Sequence, residues 1–303
     1  MNRQKAMLLF GGGGGDTVRF IVFSDAHVIA EAADDTSYPS LVSPPMIYYT
    51  ARKKMQIVAS NINLINPDAV LFLGDTINYQ DFEESFDMFM EYWNNIDPSI
   101  KKSISAGNHD YAYDASYDPV QYEMPLEDYT AYKLGYGDRT LTAGSKFNES
   151  FSVSNGNTSV RFINFDTNFN SEGQHSSVNT GYIPSAEINW IKSELLTCED
   201  NVAFLFSHKG AMLGATSYLN ETDRTAFENM LVEVSQAKPS LKLYYLYGHS
   251  HAPNLVQGYT KTGHFEAYNF SALVDYMSSQ YYVFTVNRKG IVSIETLWAN
   301  YNS

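Results

Sequence analysis

The stretch TVRFIVFSDAHV (residues 17–28) runs from a nearly continuous apolar segment straight into Asp25 and His27. An apolar run without polar alternation describes a strand covered on both faces. Four more segments repeat the arrangement: PDAVLFLGD (67–75), VRFINFDT (160–167), NVAFLFSH (201–208) and KLYYLYGHSH (242–251). Each ends on polar, chemically capable side chains. Between these strands lie helical patterns. Met46, Tyr49, Met55, Ile57, Val58 and Ile62 share a face of a helix expected over 46–65, and Phe82, Phe86, Phe89, Met90 and Trp93 one over 81–96. Two later stretches carry shorter stripes: PSAEINWIKSELL (184–196) with Ile188, Ile191 and Leu195, and ETDRTAFENMLVEV (221–234) with Phe227, Met230 and Val234. Such stripes are core faces.

Strands alternating with helices make an α/β protein built in layers, and ligands in such sheets bind beyond the carboxyl ends of the strands. Two regions break the alternation. Residues 111–150 hold Tyr111, Tyr113, Tyr117, Tyr122, Tyr129, Tyr132 and Tyr136 and form an expected insertion beside the site. Its tyrosines either pack the insertion onto its own domain or stack on a nucleobase. Residues 255–298 alternate apolar and polar and are expected to close the fold as antiparallel strands.

The bulk composition narrows the function. The 303 residues suffice for one large core, or for a main domain with an insertion. A formal charge of −14 argues against a nucleic-acid polymer as partner, because backbone binding needs clustered Lys and Arg. It leaves room for a small phosphorylated substrate, since bound cations reverse the field locally. Cys198 is the single cysteine, which excludes an intramolecular disulfide and every thiolate zinc site. No stretch approaches the roughly 18 apolar residues of a bilayer span, so no membrane partner is expected. Residues 1–16 read as a flexible leader with a polyglycine linker, and 17–303 as one domain. The apolar run Ala6–Phe10 is shorter than the roughly 7–15 residues of a secretion signal, which favours a cytoplasmic location. Gly11–Gly15 lacks the Gly-Lys-Ser/Thr of a phosphate loop.

The strand-end residues form one constellation. Asp25 and His27 stand in FSDAHV, Asp75 in LGDTIN, Asn108 and His109 in GNHD (107–110), His208 in FSHKG, and His249 and His251 in GHSH. Five of the chain's seven histidines are among them. Imidazole, carboxylate and amide together suit Mn, Fe or Zn. Eight such residues exceed what one ion can use, so two divalent ions are implied. Two neighbouring cations need a bridging anion, and Asp75, alone in its motif, is the natural candidate.

The series D-x-H, G-D, G-N-H-D, H and G-H-x-H resembles the calcineurin-like metallophosphoesterase superfamily, with the motif set of its class III cyclic-nucleotide phosphodiesterases. GYIPSAEINWIKSEL (181–195) is similar to a segment found before the fourth motif in many bacterial members. The resemblance implies a layered β-sandwich core flanked by helices, and a dinuclear metal-dependent hydrolase of phosphoester bonds, either phosphatase or phosphodiesterase. It implies that Asp25, His27, Asp75 and His251 hold one ion and that Asp75, Asn108, His208 and His249 hold the other. By the same resemblance His109 faces the substrate as proton donor, and Asp110 orients its imidazole and favours its protonated form. A nuclease shares the metal kit but would need a basic channel, and a non-catalytic scaffold of this fold would have lost ligands. The tyrosinate-iron pattern of purple acid phosphatases is not matched, because Asn78 stands where that pattern places a Tyr. Lys209, after His208, is expected as a solvated surface residue, with contact to a substrate phosphate as the alternative.

Overall fold

The apolar runs become central strands because helices cover one face of each sheet and the opposite sheet covers the other. The computed structural model describes residues 16–30, 51–78, 82–111, 125–175, 180–210, 218–251, 256–258, 265–273 and 279–299. In chain order the elements are β1 (Thr17–Phe23), α1 (Ala51–Ile65), β2 (Ala69–Phe72), α2 (Phe82–Asn94), β3 (Lys101–Ile104), α3 (Leu126–Lys133), β4 (Glu149–Asn155) and β5 (Thr158–Asn164). They continue with α4 (Ser185–Thr197), β6 (Val202–Ser207), α5 (Glu221–Ala237), β7 (Lys242–Tyr247), β8 (Val256–Gly258), β9 (Phe265–Asn269), β10 (Gln280–Asn287) and β11 (Val292–Trp298).

The strands form a five-stranded sheet in the order β11-β10-β1-β2-β3 and a six-stranded sheet in the order β4-β5-β6-β7-β9-β8. Alternate side chains sort the layers. Val18, Phe20 and Val22 of β1 meet Phe162, Phe204 and Leu246 of the other sheet in a shared middle core. The opposite face of β1, Ile21 and Phe23, packs with Met55, Val58 and Ile62 of α1 and Phe86, Phe89 and Trp93 of α2. On the far side, Leu205 and Tyr245 pack under Ile191 and Leu195 of α4 and Phe227, Met230 and Val234 of α5. The result is the expected double sheet flanked by helices. Asn220 starts α5 by accepting the Asp223 amide at 3.1 Å, and Pro184 sets the extended turn into α4.

Two details differ from the sequence reading. β3, only Lys101–Ile104, and β4 are additional strands; the end of the expected insertion, Glu149 and Ser150, already pairs with β5. Of the C-terminal strands, β10 is antiparallel to β1 and β11 to β10, as expected, but β9 runs parallel to β7. A local alternating pattern cannot distinguish the two, since partner direction depends on the route of the intervening chain. In the Tyr-rich segment, Tyr111, Tyr129 and Tyr136 are buried in the core beneath the five-stranded sheet, and Tyr132 is exposed. Packing claims these three tyrosines. Tyr113, Tyr117, Tyr122, Met46 and Tyr49 lie outside the described residues.

Candidate metal centre

Parallel pairing brings the motif residues to one edge. β1, β2 and β3 are neighbours in register, with Phe23 opposite Phe72 and Phe72 opposite Ile104. Their C-terminal extensions therefore emerge together. β6 and β7 end together in the other sheet, Ser207 opposite Tyr247, placing His208 beside Gly248 and His249. Backbone bonds hold the extensions: the amides of Asp25, His27 and Val28 donate to the carbonyls of Gly74, Asp75 and Thr76, and Gly248 donates to His208.

Among the described residues two groups of potential ligand atoms result, Asp25, His27, Asp75 and His251 in one and Asp75, His208 and His249 in the other. His27 Nε2 faces His251 Nε2 at 2.9 Å, and Asp25 Oδ1 is 3.3 Å from His251 Nε2 and 3.8 Å from His27 Nε2. In the second group His208 Nε2 lies 3.1 Å from Asp75 Oδ2, 3.1 Å from His249 Nδ1 and 3.1 Å from Asn108 Oδ1. Asp75 belongs to both, its Oδ2 also 3.6 Å from His27 Nε2. Ligands about 2.0–2.2 Å from a shared ion stand about 3 Å apart at adjacent positions, so these separations fit cation sites. The donor chemistry agrees, because facing imidazole nitrogens need either a proton or a cation between them. His208 Nδ1 is taken by the Leu73 carbonyl at 2.8 Å, which leaves Nε2 to turn inward.

The backbone at these positions is unusual. Asp25, His27, Asp75, His249 and His251 all have φ between 44° and 69°. They make up five of the seven non-glycine residues with positive φ among the described residues. The left-handed region is costly for side-chain-bearing residues and persists only where surrounding structure imposes it. Gly107 is required by close approach: a Cβ there would collide with the amide and carboxylate of Asp75. The turn it permits lets the His109 amide donate to Asp75 Oδ1 at 2.9 Å.

Charge follows burial. Burial alone would raise Asp25 and Asp75, but the surrounding imidazoles hold both far below the carboxylate range. His208, which burial alone would lower, is lifted to about 9 by Asp75 and Asp25. His249 is pushed well down by burial and by the charge of His208.

His109 Nε2 is 3.9 Å from Asp75 Oδ2, and its side chain keeps 17% exposure while His27 and His208 keep none. His109 and His251 therefore flank the open side. Burial holds His109 down at about 3 despite Asp75. This is opposite in direction to the expectation of an imidazole kept protonated by Asp110. The expected bond from Asp110 to that ring is not made either. Asp110 accepts from the amides of Gly107 (2.7 Å), Asp75 (3.1 Å), Thr76 (2.8 Å) and Ile77 (3.3 Å) and from Thr76 Oγ1 (2.5 Å). Burial and the charge of Asp75 push it up to about 7. It ties two ligand loops together, because five donors converge on a carboxylate with no solvent to compete.

Lys209 is not on the surface; it is fully buried, and burial lowers it to about 8. Two further groups went unread in the sequence. The Tyr218 ring stands edge-on to His249, centroids 4.2 Å apart. Asp166, at the end of β5, accepts from Tyr111 Oη at 2.9 Å and Ser145 Oγ at 3.0 Å and pairs with His175 at 3.2 Å. Asp166 carried the same strand-end signal as Asp25 and Asp75, but it serves a structural network instead of the ligand groups.

Carboxylates and imidazoles gathered at the strand ends of a helix-flanked double sheet are the makings of a phosphoester hydrolase. The chain belongs to the calcineurin-like phosphoesterase family, whose model matches residues 18–253. No curated protein sequence matches the chain. Among solved structures it is similar to a dimetal phosphatase from Danio rerio, at 14% identity, TM-score 0.62, covering 93% of this chain and 99% of that one. It is similar to a purple acid phosphatase from yellow lupin (Lupinus luteus) seeds, at 11% identity, TM-score 0.62 and coverage of 95% and 52%. A 5'-nucleotidase from Candida albicans aligns at 15% identity, TM-score 0.56, covering 94% and 52%. The chain thus spans about half the length of the last two. These likenesses establish the shared fold. No helix among the described residues is long and apolar enough to cross a membrane.

Proposed function

We propose that this phosphoesterase is a two-metal hydrolase of small phosphorylated substrates, with Asp25, His27, Asp75 and His251 holding one divalent ion and Asp75, Asn108, His208 and His249 the other. The observation that carries the reading is that two groups of ligand atoms share the single carboxylate of Asp75. When bound, such ions polarise the phosphoryl oxygens and make water nucleophilic near neutral pH. Asn108, a neutral ligand, adds a donor toward the phosphoryl group without adding negative charge; its Nδ2 is buried and unpartnered among the described residues. His109, on the open side, donates a proton to the departing ester oxygen. Water oxygen joins phosphorus, the phosphorus–ester bond breaks, and the alcohol leaves with the proton of His109. Burial is what lowers His109, and a dianionic phosphate placed beside it favours the imidazolium, so the ring takes up its proton from solvent when substrate binds.

The test is hydrolysis with added Mn²⁺ of an aryl monoester, an aryl diester, cyclic nucleotides and single-stranded DNA, with Asp75→Asn as control. Turnover of small esters in the wild type and its loss in Asp75→Asn are expected. Activity retained in Asp75→Asn would overturn the bridging role, and cleavage confined to DNA would overturn the small-substrate reading.

A further inference from the structure

His249, which the two-metal scheme uses as a ligand of the second ion, sits in a turn whose backbone is tightly held. Its amide donates to both carboxylate oxygens of Asp25 at 3.2 Å. The Gly248 amide donates to the His208 carbonyl at 3.0 Å, and the Ser250 amide to the Gly248 carbonyl at 2.8 Å. Asn269 Nδ2, at the end of β9, donates to Ser250 Oγ. These bonds fix the turn, with His249 in left-handed backbone at φ 69°. They leave the direction of its imidazole open.

A metal-ligating histidine ordinarily has its other ring nitrogen bound by a carboxylate, a carbonyl or water, which sets the orientation of the ring. His208 follows that rule through the Leu73 carbonyl, 2.8 Å from its Nδ1. His249 does not. Among the described residues its ring meets one hydrogen-bonding partner, Nδ1 against His208 Nε2 at 3.1 Å, and that contact lies within the ligand group. What stands against the imidazole instead is the Tyr218 ring, with centroids 4.2 Å apart and planes at 89°. Tyr218 is itself anchored. Its carbonyl accepts from the Gly181 amide at 2.6 Å and its amide donates to the Gly210 carbonyl at 3.3 Å. Leu219, the next residue, is buried in the core beneath α4 and α5. A Cβ on Gly210 would stand 2.2 Å from the Tyr247 ring, so this backbone lies directly on the end of β7.

Resting on the two-metal reading above, we propose that Tyr218 is a positioning residue for the second ion: its ring, in place of a hydrogen bond, holds the His249 imidazole with Nδ1 toward His208. Centroids this close leave no gap between the rings, so a swing of the imidazole away from the ligand group meets the tyrosine. The contact is attractive as well as obstructive, because perpendicular rings set a positive edge against a negative face. The role is confined to one ion, since the group of Asp25, His27, Asp75 and His251 does not include His249.

The test is calorimetric titration with Mn²⁺ alone, which needs no turnover. Tyr218→Leu removes the ring and keeps an apolar side chain, and Tyr218→Met does the same should the leucine variant not fold. Either should weaken one of the two ions by about tenfold or more and leave the other unchanged. Tyr218→Phe keeps the ring and should stay within about twofold of the wild type for both ions. Unchanged binding in Tyr218→Leu overturns the proposal, and so does equal weakening of both ions. A phenylalanine variant as weak as the leucine one overturns it too, since the hydroxyl would then carry the effect. A double-mutant cycle ties the loss to His249: in a His249→Ala background Tyr218→Leu should cost nothing further, and additive losses overturn the assignment. A wild type that takes up fewer than two ions refutes the two-metal reading and this assignment with it. Two ions in the wild type and no loss in Tyr218→Leu refute the role of Tyr218 alone.

Discussion

His109 and Asp110 are adjacent in the chain and divide sharply in the structure. His109 stands at the open side, its Nε2 turned toward Asp75, whereas Asp110 points back into the backbone of residues 75–77 and 107. The difference predicts distinct kinetic signatures. A proton donor matters most when the leaving alcohol is poor, and general acid help is worth about 10²–10⁴-fold. His109→Ala should therefore lower kcat on alkyl phosphates far more than on esters of acidic phenols, and equal losses would remove the acid role. Asp110→Ala should instead lower Tm and reduce both substrate types together. Removing a buried acceptor strands its donors at about 1–3 kcal/mol each, and the loops carrying Asp75 and Gly107 lose their tie. If Asp110→Ala copied the leaving-group dependence of His109→Ala, a direct link between the two side chains would be indicated. The same residues show how much of the site was legible. GNHD announces its chemistry by composition, but which of its two ionisable members faces the open side depends on where the turn points.

At the scale of elements, α4 is anchored to the end of β5 by a buried acid. Glu187, in the first turn of α4, accepts from Asn148 Nδ2 at 2.5 Å and from the Asp166 amide at 3.1 Å. Burial, reinforced by the charge of Asp166, raises its pKa well above the ordinary 4.5. Asn148 and His175 oppose that rise without cancelling it. The folded protein therefore keeps this proton to higher pH than the unfolded chain does. Between the two values the folded state binds more protons, so stability falls as pH rises. Glu187→Gln preserves the acceptor and removes the titration. The variant should match the wild type near pH 4 and exceed it in Tm at neutral pH, with about 2–4 °C for each kcal/mol regained. A constant Tm difference across pH would contradict this. The helix itself was plain from its Pro184 start and its Ile191 and Leu195 stripe. The tie to β5 was not, because the contact between Glu187 and Asp166 spans 21 positions and leaves no local pattern.

For the whole molecule, the site depends on two sheets meeting at one edge. Phe20 packs against Phe162, Phe204 and Phe284 with ring centroids 4.8–5.0 Å apart, and so joins both sheets below the ligand loops. Phe20→Ala should cost about 3–5 kcal/mol and, by loosening the alignment of the sheets, weaken Mn²⁺ binding. Unchanged metal affinity in a destabilised Phe20→Ala would show that the loops hold the site without the core. Metal should in turn stabilise the fold. At 100 times its dissociation constant an ion bound only by the folded state adds about 2.7 kcal/mol, read as a rise in Tm that EDTA reverses. The absence of any such rise would count against both ligand groups. What the sequence by itself determined was the set of strands, the faces of the helices and the residue types waiting at the strand ends, since burial and ligand chemistry are written in local patterns of period and composition. Only the tertiary structure decided that Asp110 braces the loops, that Lys209 is buried beside the site, that β9 runs parallel to β7, and that five candidate ligands take left-handed backbone. Each of those depends on what a distant segment places opposite the residue, and a linear pattern carries no record of its partner.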